Sequence, residues 1–188
     1  MNRIVIHWTG GTHQPNATDL AAYHRVIAGN GGVMTGNHPI EANRVLRNPS
    51  DARTYAAHTA RLNTGSIGVA LAAMHGAVER PFTAGQFPIT EAQVAALVRL
   101  CSELCREYGI PVTRETVLTH AEVQPTLGVP QRAKWDITWV PGMSAPGDPV
   151  EVGDQLRARI AAAMSPPAPA ATLPAWLARL AALFTRRT

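Results

Sequence analysis

Short, continuously apolar segments alternate with turn-forming residues along the chain and predict the strands of a sheet. Arg3 to Trp8 (RIVIHW) is β-branched and apolar and runs directly into the turn TGGT, so we expect a buried strand with His7 at its end. Ser66 to Ala73 (SIGVALAA) follows the turn sequence NTG and is apolar throughout, which is typical of a strand in the middle of a sheet. Val117 to Thr119 predicts a further brief strand that leads directly to His120.

Apolar residues recur at helical spacing between and after these strands. The pattern is clearest from Glu91 to Tyr108, where a Thr-x-x-Gln capping box begins the helix and a glycine ends it. Thr18 to Ile27 and Val150 to Met164 have the same spacing and predict two more helices. Val33 to Asn48 is rich in glycine and asparagine and would suit a hairpin, whereas Ala121 to Ala133 is expected to be a long loop of the kind that often carries function.

Strands and helices in this arrangement predict an α/β fold, with a single catalytic domain over residues 1–164. Residues 165–172 (SPPAPAAT) have the composition of a stiff Pro/Ala linker. Residues 173–188 predict a separate helix with leucine, tryptophan and phenylalanine on one face and arginine on the other. We hypothesise that this basic amphipathic helix contacts anionic membrane lipid, with packing on the domain or dimerisation as the alternative.

The composition, 46% hydrophobic and 16% charged, is that of a folded chain. The net charge of +4 favours anionic partners, but the basic residues are mostly isolated arginines without a nucleic-acid-binding motif, so nucleic acid is not an expected partner. The N-terminus enters the first strand without the features of a Sec signal, and no stretch of about eighteen apolar residues is present. We therefore expect a monomer that is made in the cytoplasm and reaches an external substrate by another route.

Three residues supply the side chains that a catalytic zinc ion needs. Such an ion is held by about three nitrogen or oxygen ligands and keeps one position open for water. His7 and His120 at the strand ends, with Asp136 after the long loop, form such a set. A single histidine at a strand end is more often an ordinary core or surface residue, so the prediction depends on the combination.

Five segments, IVIHWTGG, YHRVI, HTARLNTGSIGVAL, VLTHAEVQP and KWD, follow one another over residues 3 to 140. In this order they resemble the type-2 N-acetylmuramoyl-L-alanine amidases, a family that includes phage endolysins, peptidoglycan-recycling amidases and animal peptidoglycan recognition proteins. Each segment alone is a weak signal, and the resemblance depends on all of them together. It implies a mixed central β-sheet flanked by helices, with a zinc groove on one side.

The resemblance also implies roles for particular residues. It assigns the zinc ligands to His7, His120 and Asp136. The family's lysine, two residues before the third ligand, corresponds to Lys134, and the tyrosine of its Tyr-His segment corresponds to Tyr23. Zinc would acidify a water molecule and Lys134 would stabilise the developing oxyanion. Tyr23 would either orient the attacking water or pass a proton to the leaving amine.

A further segment matches the part of the family that lines the substrate groove. It contains His58, Asn63 and Thr64, which the resemblance implies would contact the muropeptide. A histidine that only caps a buried turn is an equally good interpretation of His58.

One residue and the length of one loop distinguish this chain from some members of the family. Recycling members often have a glutamate in the strand that here reads SIGVALAA, at the position of Ala70, so the tyrosine route typical of phage lysins is favoured. The loop before Lys134 is longer than in the most compact phage members, and Glu122 is the alternative third ligand. We therefore predict an endolysin that acts on bacterial peptidoglycan in the periplasm and cleaves the amide between N-acetylmuramic acid and L-alanine. A cytoplasmic recycling amidase and a non-catalytic peptidoglycan-binding module are the alternatives.

Overall fold

The computed structural model describes residues 1–46 and 48–165. The helix predicted over residues 173–188 lies outside the described residues, as does the predicted linker apart from Ser165. Among the residues that the structure describes, none of the helices has the length and apolar character needed to cross a bilayer.

A five-stranded mixed sheet forms the centre of the protein, in the order β3-β2-β4-β1-β5. β2, β4, β1 and β5 run parallel, and β3 pairs antiparallel with β2. The strand predicted over residues 66–73 lies in the middle of the sheet, and the predicted α/β class with a mixed central sheet is confirmed. The bounds of the strands are β1 Arg3–Trp8, β2 Arg25–Ile27, β3 Val33–Thr35, β4 Ser66–Leu71 and β5 Val117–Thr119.

In the described part of the chain, four helices and one 3-10 turn accompany the sheet. The helices α2 and α4 pack against each other and against one face of the sheet, where alternate residues of β1 and β4 join the main apolar core. The residues between them in sequence, including His7, point to the opposite face because side chains alternate along a strand. The bounds are α1 Ala17–Ala22, the 3-10 turn Ile40–Asn43, α2 Glu91–Tyr108, α3 His120–Leu127 and α4 Pro149–Met164.

The helix α2 confirms its predicted bounds and caps. The Thr90 side chain accepts a hydrogen bond from Gln93 N–H, and the Gln93 side chain accepts one from Thr90 N–H. Gly109 ends the helix in the left-handed conformation that glycine adopts most readily. The amide nitrogen of Gln93 also donates to the carbonyls of Ile27 and Ala72 (both 2.9 Å), so the start of α2 is tied to the ends of two neighbouring strands.

Two sequence predictions were wrong in their extent. The helix predicted over Thr18–Ile27 ends at Ala22, and Arg25–Ile27 is β2, because its β-branched residues complete the sheet between β4 and β3. Within the described part of Val33–Asn48, whose composition suited a hairpin, Val33–Thr35 is a strand that pairs back with β2, and Ile40–Asn43 is the 3-10 turn. The loop predicted over Ala121–Ala133 contains most of α3, which begins where the Glu122 side chain accepts a hydrogen bond from Thr119 N–H and ends at Gly128. In the first case pairing with neighbouring strands outweighed the helical spacing of the apolar residues. In the second case the helix formed although Pro125 lies within it.

Candidate active site

Three polar side chains from separate parts of the chain meet at the carboxyl ends of β1 and β5. Because these strands are parallel neighbours, His7 near the end of β1 and His120 directly after β5 lie at the same edge of the sheet. Asp136 approaches from the loop after α3, and its carbonyl accepts a hydrogen bond from Ala121 N–H (2.6 Å). The structure thus brings together the three predicted metal ligands, which we call the three-donor cluster.

The spacing of the three-donor cluster fits one zinc ion. His7 Nδ1 lies 3.0 Å from His120 Nδ1 and 3.2 Å from Asp136 Oδ2, and the remaining pair, His120 Nδ1 and Asp136 Oδ2, is 3.1 Å apart. Ligand atoms at about 2.0–2.1 Å from a tetrahedral zinc ion are separated by roughly 3.3 Å, which is close to these distances. Two imidazoles and a carboxylate are also donors of the kind that catalytic zinc sites use.

The three side chains of the cluster are shielded from solvent. Burial lowers the pKa of His7 to about 4, although the nearby Asp136 carboxylate acts in the opposite direction. Burial acts to raise the pKa of Asp136, but the adjacent imidazoles of His120 and His7 outweigh it, and the pKa lies below its usual value. At neutral pH His7 is therefore neutral and Asp136 ionised, which are the states in which both bind a metal.

The outer nitrogen of each imidazole in the cluster has its own hydrogen-bonding neighbour. His120 Nε2 lies 2.9 Å from Gln131 Oε1, and His7 Nε2 lies 3.3 Å from Thr59 Oγ1. The sequence reasoning missed both neighbours. Thr59 directly follows the predicted His58, which was a usable signal, whereas Gln131 lies in an irregular loop where no spacing marks it.

A cavity of about 530 Å³ adjoins the three-donor cluster, and both predicted catalytic residues line it. His120 and Asp136 form part of its wall, so ligand atoms of the cluster are reached from this space. The lining residues are Trp8, Thr9, Gly10, Tyr23, Ala57, His58, Thr59, Ala60, Asn63, His120, Gln131, Arg132, Lys134 and Asp136.

Tyr23 lies beside the three-donor cluster, with its ring centroid 5.1 Å from that of His7. Burial, supported by the charges of Asp136 and Asp19, raises the pKa of Tyr23 above its ordinary value, so the phenol stays protonated at neutral pH. Ala70, at the position where recycling members often have glutamate, belongs to the small apolar cluster against which Tyr23 packs. Tyr23 therefore offers a neutral hydroxyl donor on the wall of the cavity.

Lys134 is exposed on the cavity wall two residues before Asp136. Arg132 and Ala133 precede it with φ angles of 54° and 52°, which turn the chain sharply between the buried Gln131 and the exposed lysine. A non-glycine residue with its backbone in this left-handed region destabilises the fold by roughly 1–2 kcal/mol, and such strain is concentrated at functional sites. Burial and the charge of His120 lower the pKa of His7, and the positive charge of Lys134 is the smallest of the causes that act in the same direction.

The residues predicted for the substrate groove occupy different environments. His58 is buried against His7, with ring centroids 5.3 Å apart, and also borders the cavity. Asn63 lines the cavity too, and its Oδ1 accepts hydrogen bonds from the backbone N–H groups of His58 and the next residue (3.0 and 2.9 Å). Thr64 is exposed and is not part of the cavity wall. Contact of these three residues with a muropeptide stays a prediction.

Glu122, the alternative third ligand, faces away from the three-donor cluster. Its carboxylate accepts hydrogen bonds from the Arg157 guanidinium (2.7 Å) and from Thr119 N–H (2.7 Å). Gly153 packs so closely that a Cβ there would lie within 2 Å of the carboxylate, at 1.9 Å. Glu122 therefore links α3 to α4, and Asp136 alone provides the carboxylate of the cluster.

Comparison with known proteins agrees with the resemblance read from the five segments. The sequence model of the N-acetylmuramoyl-L-alanine amidase family matches residues 1–142. No curated protein sequence matches the chain.

Three solved structures are similar to this chain at low identity. The N-acetylmuramoyl-L-alanine amidase LysC from Clostridium intestinale is 16% identical with a TM-score of 0.46, over 85% of each chain. The Ph2119 endolysin from a Thermus scotoductus bacteriophage is 18% identical with a TM-score of 0.44, over 71% of this chain and 79% of that one. The Escherichia coli amidase AmiD, solved with an anhydro-muropeptide substrate, is 24% identical with a TM-score of 0.41, over 64% of this chain and 48% of that one. On the family match over residues 1–142, the chain belongs to the N-acetylmuramoyl-L-alanine amidase family and is an amidase.

Proposed function

We propose that the protein is a zinc-dependent N-acetylmuramoyl-L-alanine amidase that acts on the cell wall as a phage or prophage endolysin. The bond cleaved is the amide between N-acetylmuramic acid and the L-alanine of the stem peptide. The observation that carries the proposal is the three-donor cluster, whose nitrogen and oxygen atoms converge within 4.8 Å at the wall of an accessible cavity.

His7, His120 and Asp136 would hold the ion, because their donor atoms converge and their charges suit a divalent cation. A bound zinc ion supplies Lewis-acid polarisation of a carbonyl and makes water a nucleophile near neutral pH. The protein side chains around the cavity then have to position the substrate, bind negative charge and move a proton.

Lys134 suits the second of these tasks. Lys134 lines the cavity that adjoins the three-donor cluster. When the amide carbonyl is attacked, its oxygen gains negative charge, and a cation placed beforehand lowers the energy of that state. The turn at Arg132 and Ala133 separates the buried Gln131 from the exposed Lys134, which lines the cavity.

Tyr23 suits the proton transfer. Its pKa is raised by burial and by nearby carboxylates, so the phenol has a proton available to donate or to orient a water molecule. The ring lies close to His7, on the side of the cavity formed by β1 and the end of α1. Because position 70 on β4 is alanine and not glutamate, that strand offers no carboxyl group at this position, and Tyr23, which packs on the same apolar cluster, is the proton donor.

The endolysin assignment is supported by the Tyr23 and Lys134 pair together with Ala70. A phage lysin has to act on polymeric peptidoglycan, whereas a recycling amidase acts on soluble fragments. A wall that includes exposed Lys134 and Arg132 offers positive charge to the acidic stem peptides of either substrate, so the polymer and the fragments have to be compared directly.

The test is the release of new L-alanine amino termini from purified sacculi. Native protein, protein treated with EDTA and protein restored with zinc are compared, together with Asp136→Ala. Asp51→Ala is the matched control, because its carboxylate pairs with Arg53 at the surface. We expect zinc to restore the activity that EDTA removes, Asp136→Ala to abolish it and Asp51→Ala to retain it.

A parallel assay with soluble muropeptides separates the alternatives. Faster cleavage of sacculi supports the endolysin, and cleavage confined to soluble fragments supports a recycling amidase. Tight binding to sacculi without new amino termini would instead make the protein a recognition module.

A further inference from the structure

The Gln131 side chain joins the cluster to a distant backbone segment. Gln131 is buried, its Oε1 lies 2.9 Å from His120 Nε2, and its Nε2 donates to the carbonyl of Ala60 (2.9 Å). The backbone N–H of Gln131 donates to Gln124 Oε1 on α3 (3.0 Å), which holds the residue in this position. The side-chain amide is therefore engaged at both ends.

These contacts determine which way the amide points. The carbonyl of Ala60 can only accept a hydrogen bond, so the NH₂ group of Gln131 has to face it. The opposite orientation would place two oxygen atoms against each other at 2.9 Å. Oε1 consequently faces His120, and since this oxygen can only accept, His120 Nε2 has to carry the proton.

A proton on Nε2 leaves the lone pair of the neutral His120 ring on Nδ1. Nδ1 is the atom that lies 3.0 Å from His7 Nδ1 and 3.1 Å from Asp136 Oδ2. Hydrogen bonds of this type fix the tautomer and orientation of metal-binding histidines and increase their basicity. We infer that Gln131 is a positioning residue that presents His120 Nδ1 to the metal, and this inference rests on the proposed zinc site.

The segment Thr59–Ala60 lies next to both histidines of the cluster, directly at His7 and through Gln131 at His120. The Thr59 hydroxyl lies within hydrogen-bonding distance of His7 Nε2 (3.3 Å), and the carbonyl of Ala60 acts on His120 through Gln131. Asn63 holds the segment by accepting the backbone N–H of Thr59 (2.9 Å). One short turn thus orients ligands that are 113 residues apart in sequence.

Zinc affinity, measured by competition with a chromophoric chelator, tests the inference in Gln131→Leu and Gln131→Glu. Leucine has a similar volume but accepts no hydrogen bond, so zinc should bind about 10–100-fold more weakly. Glutamate keeps an acceptor for His120 but places its second oxygen against the carbonyl of Ala60, so its affinity should fall less than that of the leucine variant. The absorption spectrum of the cobalt-substituted protein should change in the leucine variant and be retained in the glutamate variant.

Gln93→Leu is the matched control, because Gln93 is also buried and bridges backbone carbonyls without touching the cluster. It should lower the urea midpoint of unfolding and leave zinc affinity unchanged. Each zinc affinity is calculated for the concentration of folded protein. If Gln131→Leu does not fold, Gln131→Met takes its place.

Native affinity in the apolar Gln131 variant, or equal losses in the glutamate and apolar variants, would overturn the role of Gln131. The second outcome would mean that the bridge to Ala60, and not the bond to His120, matters. A native protein that binds no zinc would refute the proposed function itself, so the two failures are distinguishable.

Discussion

The Nδ1 atoms of His7 and His120 face each other at 3.0 Å, one near the end of β1 and the other directly after its parallel neighbour β5. Gln131 Oε1 at His120 Nε2 leaves the lone pair of His120 on Nδ1, and this atom, His7 Nδ1 and the Asp136 carboxylate converge on one small space. Without a cation, this arrangement places electron-rich atoms together in a buried region. The folded state therefore brings together metal-binding atoms that are far apart in the unfolded chain.

Zinc is accordingly expected to stabilise the fold. At a free zinc concentration about 1,000 times the dissociation constant, the free energy of unfolding should rise by about 4 kcal/mol. Urea unfolding in the presence of EDTA or zinc measures the change, and Asp136→Asn should remove most of it because the ligand loses its charge. Coincident unfolding curves for the native protein in EDTA and in zinc would contradict the prediction.

Tyr23→Phe should lower kcat on sacculi by roughly 100-fold or more, the usual contribution of a positioned acid or base. The substitution removes the hydroxyl and keeps the ring that packs on Ala70 and its neighbours. Zinc affinity and the urea midpoint should both be retained. A variant with native kcat would show that another group transfers the proton.

Lys134→Met should lower kcat about 100- to 1,000-fold, because it removes the cation that faces the developing oxyanion. KM should change much less if the lysine acts in the transition state. Arg132→Met is the matched control, since it removes a neighbouring exposed cation from the same cavity wall. An increase in KM alone for Lys134→Met would assign the lysine to substrate binding.

The regular elements and the ligand set could be predicted from sequence to different degrees, for physical reasons. The bounds of α2 followed from its capping box, apolar spacing and terminal glycine, because these signals are local. The positions of His7 and His120 at strand ends were also local, but their approach to 3.0 Å depends on the parallel pairing of β1 with β5. Gln131 was missed because its role arises from contacts with Ala60 and His120 across an irregular loop.

The stability of the protein should depend on pH through His24, which is fully buried. Burial lowers the pKa of His24 to about 4, so the folded state keeps the ring neutral while the unfolded chain takes up a proton near pH 6.5. The unfolded state binds more protons between these values, and stability is therefore lost as the pH falls from about 6.5 toward 4. At pH 5 the loss from this residue should be about 2 kcal/mol.

His24→Asn tests this dependence, because asparagine can still accept the hydrogen bond that Gly68 N–H donates to His24 Nδ1 (2.9 Å). Urea unfolding at pH 7.5 and pH 5, with zinc present throughout, should show a smaller difference in the variant than in the native protein. Loss of zinc at the lower pH affects both proteins and cancels in the comparison. The exposed His75→Asn should behave like the native protein, and the idea fails if His24→Asn does so too.

The ion pair between Glu122 and Arg157 should contribute to stability without contributing to metal binding. Both side chains are buried, and Arg157 also donates to the carbonyl of Val117 on β5 (2.8 Å), which fastens α4 to the strand that precedes His120. Arg157→Met would leave an uncompensated buried carboxylate and should cost about 3–5 kcal/mol in the free energy of unfolding. The double variant with Glu122→Met should cost less than the sum of the single variants, with a coupling of about 0.5–3 kcal/mol. Glu122→Gln should bind zinc with native affinity per folded molecule, whereas a large loss of affinity would return Glu122 to the ligand set in place of Asp136.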